Sequence, residues 1–322
     1  MSSIRIVSAR ELRARIRFED LIEAVSQAFQ DCSAGLAENG LVVLHPAGRP
    51  EDGDVYVKAG VLRGHQIYIV KISPWFAINV ARKQSQGGFI AVFDSQTGRT
   101  LALLNEEHYL SDIRTAAAGA LAARLFAPLH IVTAAVLGAG VQAYWQTKAL
   151  YQERPFQRLL IWARDPHKAA RLRERFADGL PRTEICISED IERVVHSADV
   201  VITATMARQP FVRGEWLREG QHITAVGADD PTKCELDAKA LNRASVFVDS
   251  LQTNALNGDV YRAIQQQAYS INNVSAEIGE VLSGKKTGRR SSQEITIAKF
   301  VGLGAQDLVA VEKALELLDG SG

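Results

Sequence analysis

The chain has 322 residues, of which 47% are hydrophobic and 23% are charged, the balance of an ordinary folded protein. Its 37 Lys and Arg residues equal its 37 Asp and Glu residues. No net charge therefore attracts the chain to nucleic acid or to a membrane surface, and we expect neither as a partner. The length predicts two domains rather than one.

The three cysteines are scattered and show no Cys-x-x-Cys spacing: Cys32, Cys186 and Cys234. This usage predicts neither a disulfide framework nor a metal site, and it fits a reducing cytoplasm. The first residues lack the apolar core of a signal peptide. No apolar run approaches the roughly 18 residues of a membrane span. We expect a cytoplasmic protein without a bound metal.

The first third of the chain is rich in predicted strands. Four runs of β-branched and aromatic residues are bounded by turn residues: Asp54–Lys58, Ile67–Ile72, Phe89–Asp94 and Thr100–Leu104. Because they do not alternate with helices, they predict a separate, largely antiparallel sheet. Lys58 and Lys71 fall at strand ends, where the pattern alone favours solvated positions.

An alanine-rich helix, predicted over Ala116–Phe126, follows this sheet, and Arg114 lies near its start. A guanidinium there can bind a carboxylate through two hydrogen bonds, while the helix N–H groups add to the positive field. An exposed, purely structural arginine fits the same pattern equally well.

The most informative stretch is the apolar run Ala134–Leu137, which leads into Gly138-x-Gly140-x-x-Ala143. An unbroken apolar run is typical of a buried parallel strand. The first glycine permits a sharp turn, the second lets a pyrophosphate approach the backbone, and the small third residue allows close packing of helix on strand. The phosphates would then meet the free N–H groups of the following helix.

Further apolar runs continue this pattern: Arg158–Ala163, Ala198–Thr205 and His222–Gly227. They alternate with predicted helices over Lys168–Phe176 and Asp190–Ser197, as in a parallel sheet built from βαβ units. We predict an α/β fold with a Rossmann dinucleotide-binding domain over residues 116–297. A β-rich substrate and dimerisation domain would cover residues 1–115, and residues 298–322, with a final helix over Ala305–Leu318, would return to it.

The second strand of the Rossmann pattern bears on cofactor choice. NAD sites usually place an acidic residue at the end of this strand, but here Ala163 is followed by Arg164. Arg164 and Lys168 can bind a 2′-phosphate, which predicts that NADPH is preferred. NADH remains possible, because Asp165 could bind the ribose and Arg164 could stack on the adenine.

Asp229 is a candidate acid or base. It follows a buried strand and Gly227, at the carboxyl edge of the sheet where ligands of such folds bind. The alternative is a loop aspartate that caps a turn formed by Asp230 and Pro231.

Several segments together resemble the ornithine cyclodeaminase/μ-crystallin family over nearly the whole chain. They are Leu110–Ala117, Gly138–Gln142, Thr203–Thr205, Gly227–Pro231, Glu277–Gly284, Gly288-Arg289 and Gly302–Asp307. The resemblance implies a dimerising β-rich substrate domain, a nicotinamide-binding Rossmann domain, and hydride transfer at the α-carbon of an amino or imino acid.

By this resemblance Arg114 holds the α-carboxylate of the substrate, Lys71 points at the reacting centre, and Asp229 is the catalytic acid or base. This reaction needs a carboxylate anchor, a hydride donor and a proton source, so the chemistry agrees. The implied cofactor-binding residues are Gly138, Gly140, Val141, Gln142, Arg164, Lys168, Thr203, Ala204, Thr205 and Gly302.

Two positions depart from the family pattern. Ornithine cyclodeaminase carries a glutamate for the distal ammonium of ornithine where this chain has Lys58, and a lysine would repel that ammonium. His45 aligns with an arginine that forms a second carboxylate contact. Lys58 and the segment Ile161–Asp165 are more similar to the branch linked to ectoine breakdown and to imino acid reductases such as iminosuccinate reductase.

We therefore predict a homodimeric NAD(P)H-dependent reductase of α-imino acids or cyclic ketimine carboxylates, with Lys58 and His45 among the residues that bind the substrate. One alternative is a cyclodeaminase that oxidises a diamino acid, releases ammonia and reduces the resulting ring. Another is a small-ligand binding protein without turnover, as in some μ-crystallin relatives.

Overall fold

Two β-sheets organise the chain in the computed structural model, which describes residues 4–49, 51–82, 84, 86–176, 179–180 and 182–320. The chain divides into two units, each with its own sheet. Met1–Ala117 and Leu303–Gly322 form the first unit, and Ala118–Gly302 form the second. That the first unit binds the substrate and the second the cofactor stays a prediction.

The strands of the described residues are, in chain order, β1 (Arg5–Ser8), β2 (Ala37–Leu44), β3 (Gly53–Leu62), β4 (Ile67–Phe76), β5 (Phe89–Asp94), β6 (Thr100–Asn105), β7 (Thr133–Leu137), β8 (Arg158–Trp162), β9 (Glu184–Ile187), β10 (Val200–Thr203), β11 (His222–Ala225), β12 (Ser245–Val248), β13 (Ala276–Glu277) and β14 (Thr296–Lys299). The helices are α1 (Ala9–Arg15), α2 (Ile22–Ser33), α3 (Ala77–Arg82), α4 (Tyr109–Phe126), α5 (Val141–Glu153), α6 (Pro166–Arg175), α7 (Ile191–Ser197), α8 (Ala238–Arg243), α9 (Leu251–Asn254), α10 (Gly258–Gln265), α11 (Ile278–Leu282) and α12 (Gly304–Asp319).

The sheet of the first unit has the strand order β1-β6-β5-β4-β3-β2. Only β1 pairs in parallel, with β6, and the other neighbours are antiparallel. The predicted largely antiparallel sheet is thus confirmed. Helix α12 packs against α2, β3 and β4 within this unit, so the end of the chain belongs to the same fold as its beginning.

Glycines let the start of α12 lie directly on strand β3. A side chain at Gly60 would overlap the backbone of Gly304, and one at Gly304 would overlap the carbonyl group of Ala59. Because neither position has a Cβ atom, the two backbones approach closely. The first turn of α12 is thereby fixed beside the last residues of β3.

The sheet of the second unit has the order β13-β12-β14-β11-β10-β7-β8-β9, and all its strand pairs are parallel. Strand β7 is buried throughout. Its alternate residues enter different clusters, Ala135 and Leu137 one and Ala134 and Val136 the other. Helices therefore cover both faces of the sheet, as in a doubly wound Rossmann fold.

Helix α4 begins earlier than the sequence predicts, at Tyr109 rather than Ala116. Its start is stabilised by Glu106, whose carboxylate accepts a hydrogen bond from the backbone N–H of Ser111 at 2.7 Å. Arg114 therefore lies in the second turn, beyond the unpaired N–H groups of the first. The prediction that those N–H groups add to the positive field at Arg114 is therefore wrong, since the field of a helix end falls off within one turn.

Candidate active site

Lys58 and Lys71 lie opposite each other in the middle of strands β3 and β4. Both strands continue for four or more residues past these positions, to Leu62 and Phe76. The two lysines are 5% and 2% exposed. The interpretation of both as solvated strand ends is therefore wrong. Buried ammonium groups need compensating polar partners.

Asp307, in the first turn of α12, is the central partner of this cluster. Its Oδ2 lies 2.8 Å from Lys71 Nζ, and its Oδ1 accepts a hydrogen bond from Arg114 Nε, also at 2.8 Å. Burial would raise the pKa of Asp307, but Arg114, Lys71 and Lys58 outweigh it and lower the pKa to about 2. Asp307 is therefore ionised at neutral pH and holds the two cations side by side.

Each of these cations keeps a donor for a ligand. Arg114 donates from Nε to Asp307 and from Nη1 to Gln306 at 3.4 Å, and its Nη2 has no hydrogen-bond partner among the described residues. Lys71 Nζ binds Asp307 and donates to Ser111 Oγ at 2.9 Å. An ammonium group has three N–H donors, and no third protein partner of Lys71 occurs in the described part of the chain.

A second carboxylate extends the cluster on the side of Lys71. Ser111 Oγ accepts from Lys71 and donates to Glu106 Oε1 at 2.6 Å. His108 lies nearby, with its Nε2 2.8 Å from the carbonyl oxygen of Pro74. Burial lowers the pKa of His108 despite the nearby Glu106 carboxylate, so this ring is neutral at neutral pH. Lys71 is thus connected through a hydroxyl to a buried acid.

The glycine turn of the second unit has the form that a dinucleotide requires. Gly138 has φ of +120°, and a side chain there would overlap the carbonyl oxygen of Ala204. Around Gly140, by contrast, no atom of the described residues beyond its chain neighbours lies within 4 Å of the place that a Cβ would occupy. Helix α5 begins at Val141 without a side-chain cap. Open space and uncapped N–H groups at one helix end fit a bound pyrophosphate.

Arg164 and Lys168 follow strand β8, and both are exposed. Asp165 caps helix α6, because its Oδ1 accepts from the backbone N–H of His167 at 2.9 Å. This bond turns one carboxylate oxygen of Asp165 toward the helix. The arrangement leaves two cations beside the end of β8, where the ribose of a bound dinucleotide is read.

The other predicted cofactor-binding residues lie at strand ends of the same sheet. Thr203 ends β10, and Ala204 and Thr205 follow it; the backbone N–H of Ala204 donates to the carbonyl of Leu137 at 2.9 Å. Gly302 follows β14 with φ of +84°, and its N–H donates to Asp249 at 2.7 Å. Gln142 lies in the first turn of α5.

The structure separates the two adjacent aspartates after β11. Asp230 forms the turn, since its Oδ1 accepts from the backbone N–H groups of Thr232 and Lys233 at 2.6 and 3.0 Å. The Asp229 carboxylate is about one third exposed and lies 2.7 Å from Lys233 Nζ. Asp230 thus caps the turn, and Asp229 carries an ion-paired, partly exposed carboxylate beside it.

His45 has no role in the contacts described above. It lies exposed in the turn after β2, where its carbonyl oxygen accepts from the N–H of Gly48 at 3.0 Å. The sequence pattern missed five residues that surround Lys71 and Arg114, although two of the resembling segments contain three of them. These five are Glu106, His108, Ser111, Gln306 and Asp307.

No helix in the described part of the chain combines the length and the apolar character needed to cross a membrane. Among the residues that the structure describes, no group of three or more His, Cys, Asp or Glu side chains is arranged to hold a metal ion.

The chain is similar to known proteins over its whole length. The model of the ornithine cyclodeaminase/mu-crystallin family matches residues 4–320. An uncharacterized cyclodeaminase of Sinorhizobium fredii is 36% identical over 329 residues, with 100% of this chain and 99% of that protein covered.

Two solved structures share the complete fold. One is Thermococcus litoralis Δ(1)-pyrroline-2-carboxylate reductase in complex with NADH and L-proline, with a TM-score of 0.91, 27% identity, and coverage of 99% of this chain and 98% of that chain. The other is an archaeal alanine dehydrogenase dimer with bound NAD, with a TM-score of 0.89, 28% identity, and coverage of 99% and 97%. The protein therefore belongs to the ornithine cyclodeaminase/mu-crystallin family.

Proposed function

We propose that this protein is an NAD(P)H-dependent reductase of α-imino acids or cyclic ketimine carboxylates. One observation carries the proposal: Asp307 holds Arg114 and Lys71 side by side while each keeps an N–H donor. A guanidinium and an ammonium so placed suit the carboxylate and the adjacent C=N group of an α-imino acid. Similar proteins reduce such a compound or interconvert an amino acid by dehydrogenation, as their names state.

The roles follow from the donors. Arg114 holds the α-carboxylate, because a guanidinium offers parallel N–H groups that match its two oxygens. Lys71 donates a hydrogen bond to the imine nitrogen and makes the carbon more electrophilic. When bound, the reduced nicotinamide supplies the hydride to that carbon. The nitrogen gains one proton, and the product is the amino acid.

Two groups can supply that proton. Lys71 can give a proton of its ammonium group to the nitrogen, and its hydrogen bond to Ser111 at 2.9 Å, with that of Ser111 to Glu106 at 2.6 Å, holds the ammonium group in place. We propose Asp229 as the group that relays this proton from solvent, since it is partly exposed and its partner Lys233 is buried. General acid–base catalysis of this kind contributes about 10²–10⁴-fold to a rate.

Lys58 restricts the side chain of the substrate. Its ammonium group is buried opposite Lys71 and helps to lower the pKa of Asp307. A distal ammonium, as in ornithine, would be repelled there, whereas a second carboxylate would be attracted. We therefore propose neutral or acidic imino acids as substrates. His45 is proposed as a weaker, peripheral carboxylate contact, because it is exposed.

We propose NADPH as the preferred cofactor, with NADH accepted. The turn at Gly138 and Gly140 and the uncapped start of α5 support a dinucleotide at this edge. The exposed Arg164 and Lys168 favour a 2′-phosphate. The two structural neighbours contain NADH or NAD, which agrees with a cofactor of this class.

A homodimer is the proposed assembly. Both edge strands of the first unit expose apolar side chains: Ile6 of β1 is 72% exposed, and Val42 and Leu44 of β2 are 54% and 48% exposed. Apolar edge strands are commonly covered by a partner. The related archaeal alanine dehydrogenase is a dimer. Sedimentation analysis of the purified protein tests this, and a monomer at micromolar concentration would contradict it.

The second candidate function is a cyclodeaminase, favoured by the name of the relative from Sinorhizobium fredii. One assay separates the two. The purified protein is given either reduced cofactor with pyrroline-2-carboxylate, pyruvate plus ammonia, or oxaloacetate plus ammonia, or oxidised cofactor with ornithine. We expect cofactor oxidation with an imino acid. Ammonia release from ornithine without net cofactor change would establish the cyclodeaminase, and binding without any turnover would indicate a ligand-binding protein.

A further inference from the structure

Glu235 is a buried carboxylate that joins the ends of two neighbouring strands of the second unit. Its Oε1 accepts from the backbone N–H and the hydroxyl of Thr205, each at 2.7 Å. Its Oε2 accepts from the hydroxyl of Thr203 at 2.7 Å and from the N–H of Gly227 at 2.9 Å. One side chain thus connects the segment after β10 to the segment after β11, at the carboxyl edge where dinucleotides bind.

Two further buried charged side chains, Asp259 and Lys299, hold the backbone near Glu235. Asp259 Oδ1 accepts from the backbone N–H groups of Glu235 and Leu236 at 2.6 and 2.9 Å. Lys299 Nζ lies 3.3 Å from Asp259 Oδ2 and donates to the carbonyl of Ala228. Ala228 directly precedes Asp229. The charged side chains therefore hold the backbone on both sides of the β11 turn.

Burying these three ionisable side chains costs desolvation free energy. Glu235, Asp259 and Lys299 are all 0% exposed. Burial, with a further effect of the Asp259 carboxylate, raises the pKa of Glu235 to about 7 despite its hydrogen bonds. Buried charges of this kind are weak contributors to stability, and well-packed apolar residues often replace them without loss. A role in fixing the positions of the backbone segments after β10 and β11 explains these buried groups better than a role in stability.

The two segments that Glu235 joins are also in direct contact. A side chain at Gly227 would overlap both the backbone of Thr205 and the Glu235 carboxylate. The loop that leads to Asp229 therefore lies against the segment Thr203–Thr205 with no space between them. A shift of either segment displaces the other.

We propose that Glu235 is a positioning residue for the reduction: it sets Thr203–Thr205, assigned above to the cofactor, and the Asp229 loop in one fixed arrangement. This proposal rests on the proposed function. Displacement of reacting groups by about 1 Å can cost roughly 100-fold in rate. Four hydrogen bonds to one rigid carboxylate are a means of preventing it.

The test compares Glu235→Gln with Asp199→Asn. A glutamine cannot accept at its nitrogen, so Gly227 or Thr205 loses the acceptor of its N–H group. Asp199 is the matched control, because its Oδ2 accepts from the N–H groups of Val132 and Thr133 at 2.8 and 2.9 Å. Asp199 precedes β10 and acts at the amino edge of the same sheet, away from the proposed site.

Three quantities are measured for each variant: the urea midpoint of unfolding, the dissociation constant of NADPH by fluorescence, and the single-turnover rate at saturating cofactor and imino acid. We expect Glu235→Gln to lower the rate at least about tenfold and to weaken NADPH binding severalfold. Asp199→Asn should lose a similar amount of stability but change the rate and the NADPH dissociation constant less than about twofold. Thr203→Val, which removes only one donor, should show smaller changes in the same direction and serves if Glu235→Gln does not fold.

Rates and binding of Glu235→Gln within twofold of Asp199→Asn would overturn the proposal. A wild-type protein that reduces no imino acid would refute the proposed function instead. The NADPH dissociation constants then decide the role of Glu235 alone: selective weakening in Glu235→Gln supports it, and equal constants in the two variants contradict it.

Discussion

Lys71 and Asp307 form an ion pair at 2.8 Å with side chains that are only 3% and 1% exposed. The same carboxylate binds Arg114 through its other oxygen. A single aspartate from the last helix thus brings together a lysine from a strand and an arginine from a helix. This preorganisation is what the proposed binding of a substrate carboxylate and imine requires.

Arg114→Ala tests the carboxylate anchor. Removing one partner of a buried charge pair costs about 2–5 kcal/mol, and we expect kcat/KM to fall by the equivalent factor. Steady-state kinetics with an imino acid measures the fall. Arg114→Lys is the control that keeps the charge but loses the parallel donors, so it should recover only part of the activity. Kinetics close to wild type in a folded alanine variant would remove Arg114 from the site.

Asp229→Asn tests the proton relay. The change is nearly isosteric and should leave the turn intact, because Asp230 caps it. Turnover should fall by about 100-fold or more, with NADPH binding unchanged. Asp230→Asn is the contrasting variant, which should lower stability rather than the chemical rate. If Asp229→Asn keeps its turnover, Lys71 must supply the proton alone.

Asp307→Asn tests the electrostatics of the cluster. At neutral pH the variant leaves Lys71 and Arg114 without their counter-charge, which should lower the free energy of unfolding by about 3–5 kcal/mol. The pKa of Asp307 lies at about 2 in the folded protein, below the ordinary 3.8. Its contribution is therefore fully present above pH 3.8 and is lost as the pH falls through about 2.

Urea unfolding of wild type and Asp307→Asn over this pH range measures the difference, in which the effects of other carboxylates cancel. We expect the gap between the two proteins to be constant above about pH 5 and to narrow on acidification. A gap that stays constant down to the lowest pH, or one that is absent at neutral pH, would show that Asp307 does not neutralise the two cations.

Lys58→Glu tests the selection against an ammonium group. Wild type should neither convert ornithine nor be inhibited by it, whereas the variant should bind ornithine better and acidic imino acids worse. Lys58→Met separates charge from bulk, since it keeps the length of the side chain. Efficient conversion of ornithine to proline by wild type would contradict this account of Lys58.

Arg164→Ala tests the choice of cofactor. Loss of the guanidinium should reduce kcat/KM for NADPH by about tenfold or more and leave the value for NADH nearly unchanged. Lys168→Ala should act in the same direction with a smaller effect, because an exposed single charge contributes less. An equal loss with both cofactors would mean that Arg164 stacks on the adenine. A wild-type preference for NADH would overturn the NADPH assignment.

Local features were the easier part to predict from sequence. The turn around Gly138 and Gly140 depends on neighbouring residues only, and the alternation of apolar runs with helices is enough to indicate a parallel sheet. Both signals are properties of short segments. They therefore predict the glycine turn and the parallel sheet without any knowledge of tertiary contacts.

The buried cations show where such reasoning ends. Lys58 and Lys71 look like solvated strand ends because their compensating carboxylate, Asp307, comes from the opposite end of the chain. That Asp230 caps the turn depends on backbone geometry, and two adjacent aspartates in a sequence do not reveal that geometry. The position of Arg114 in α4 was obscured because Glu106 starts the helix earlier than its alanine-rich part suggests.

The most direct test of the central claim follows the hydride itself. The purified protein is incubated with NADPH that carries deuterium at both positions of the hydride-donating carbon and with pyrroline-2-carboxylate or an acyclic imino acid, and the product is examined by mass spectrometry. The account predicts one deuterium at the α-carbon of an amino acid for each cofactor oxidised. An amino acid without deuterium, or ammonia released from a diamino acid with no net oxidation of cofactor, would contradict it.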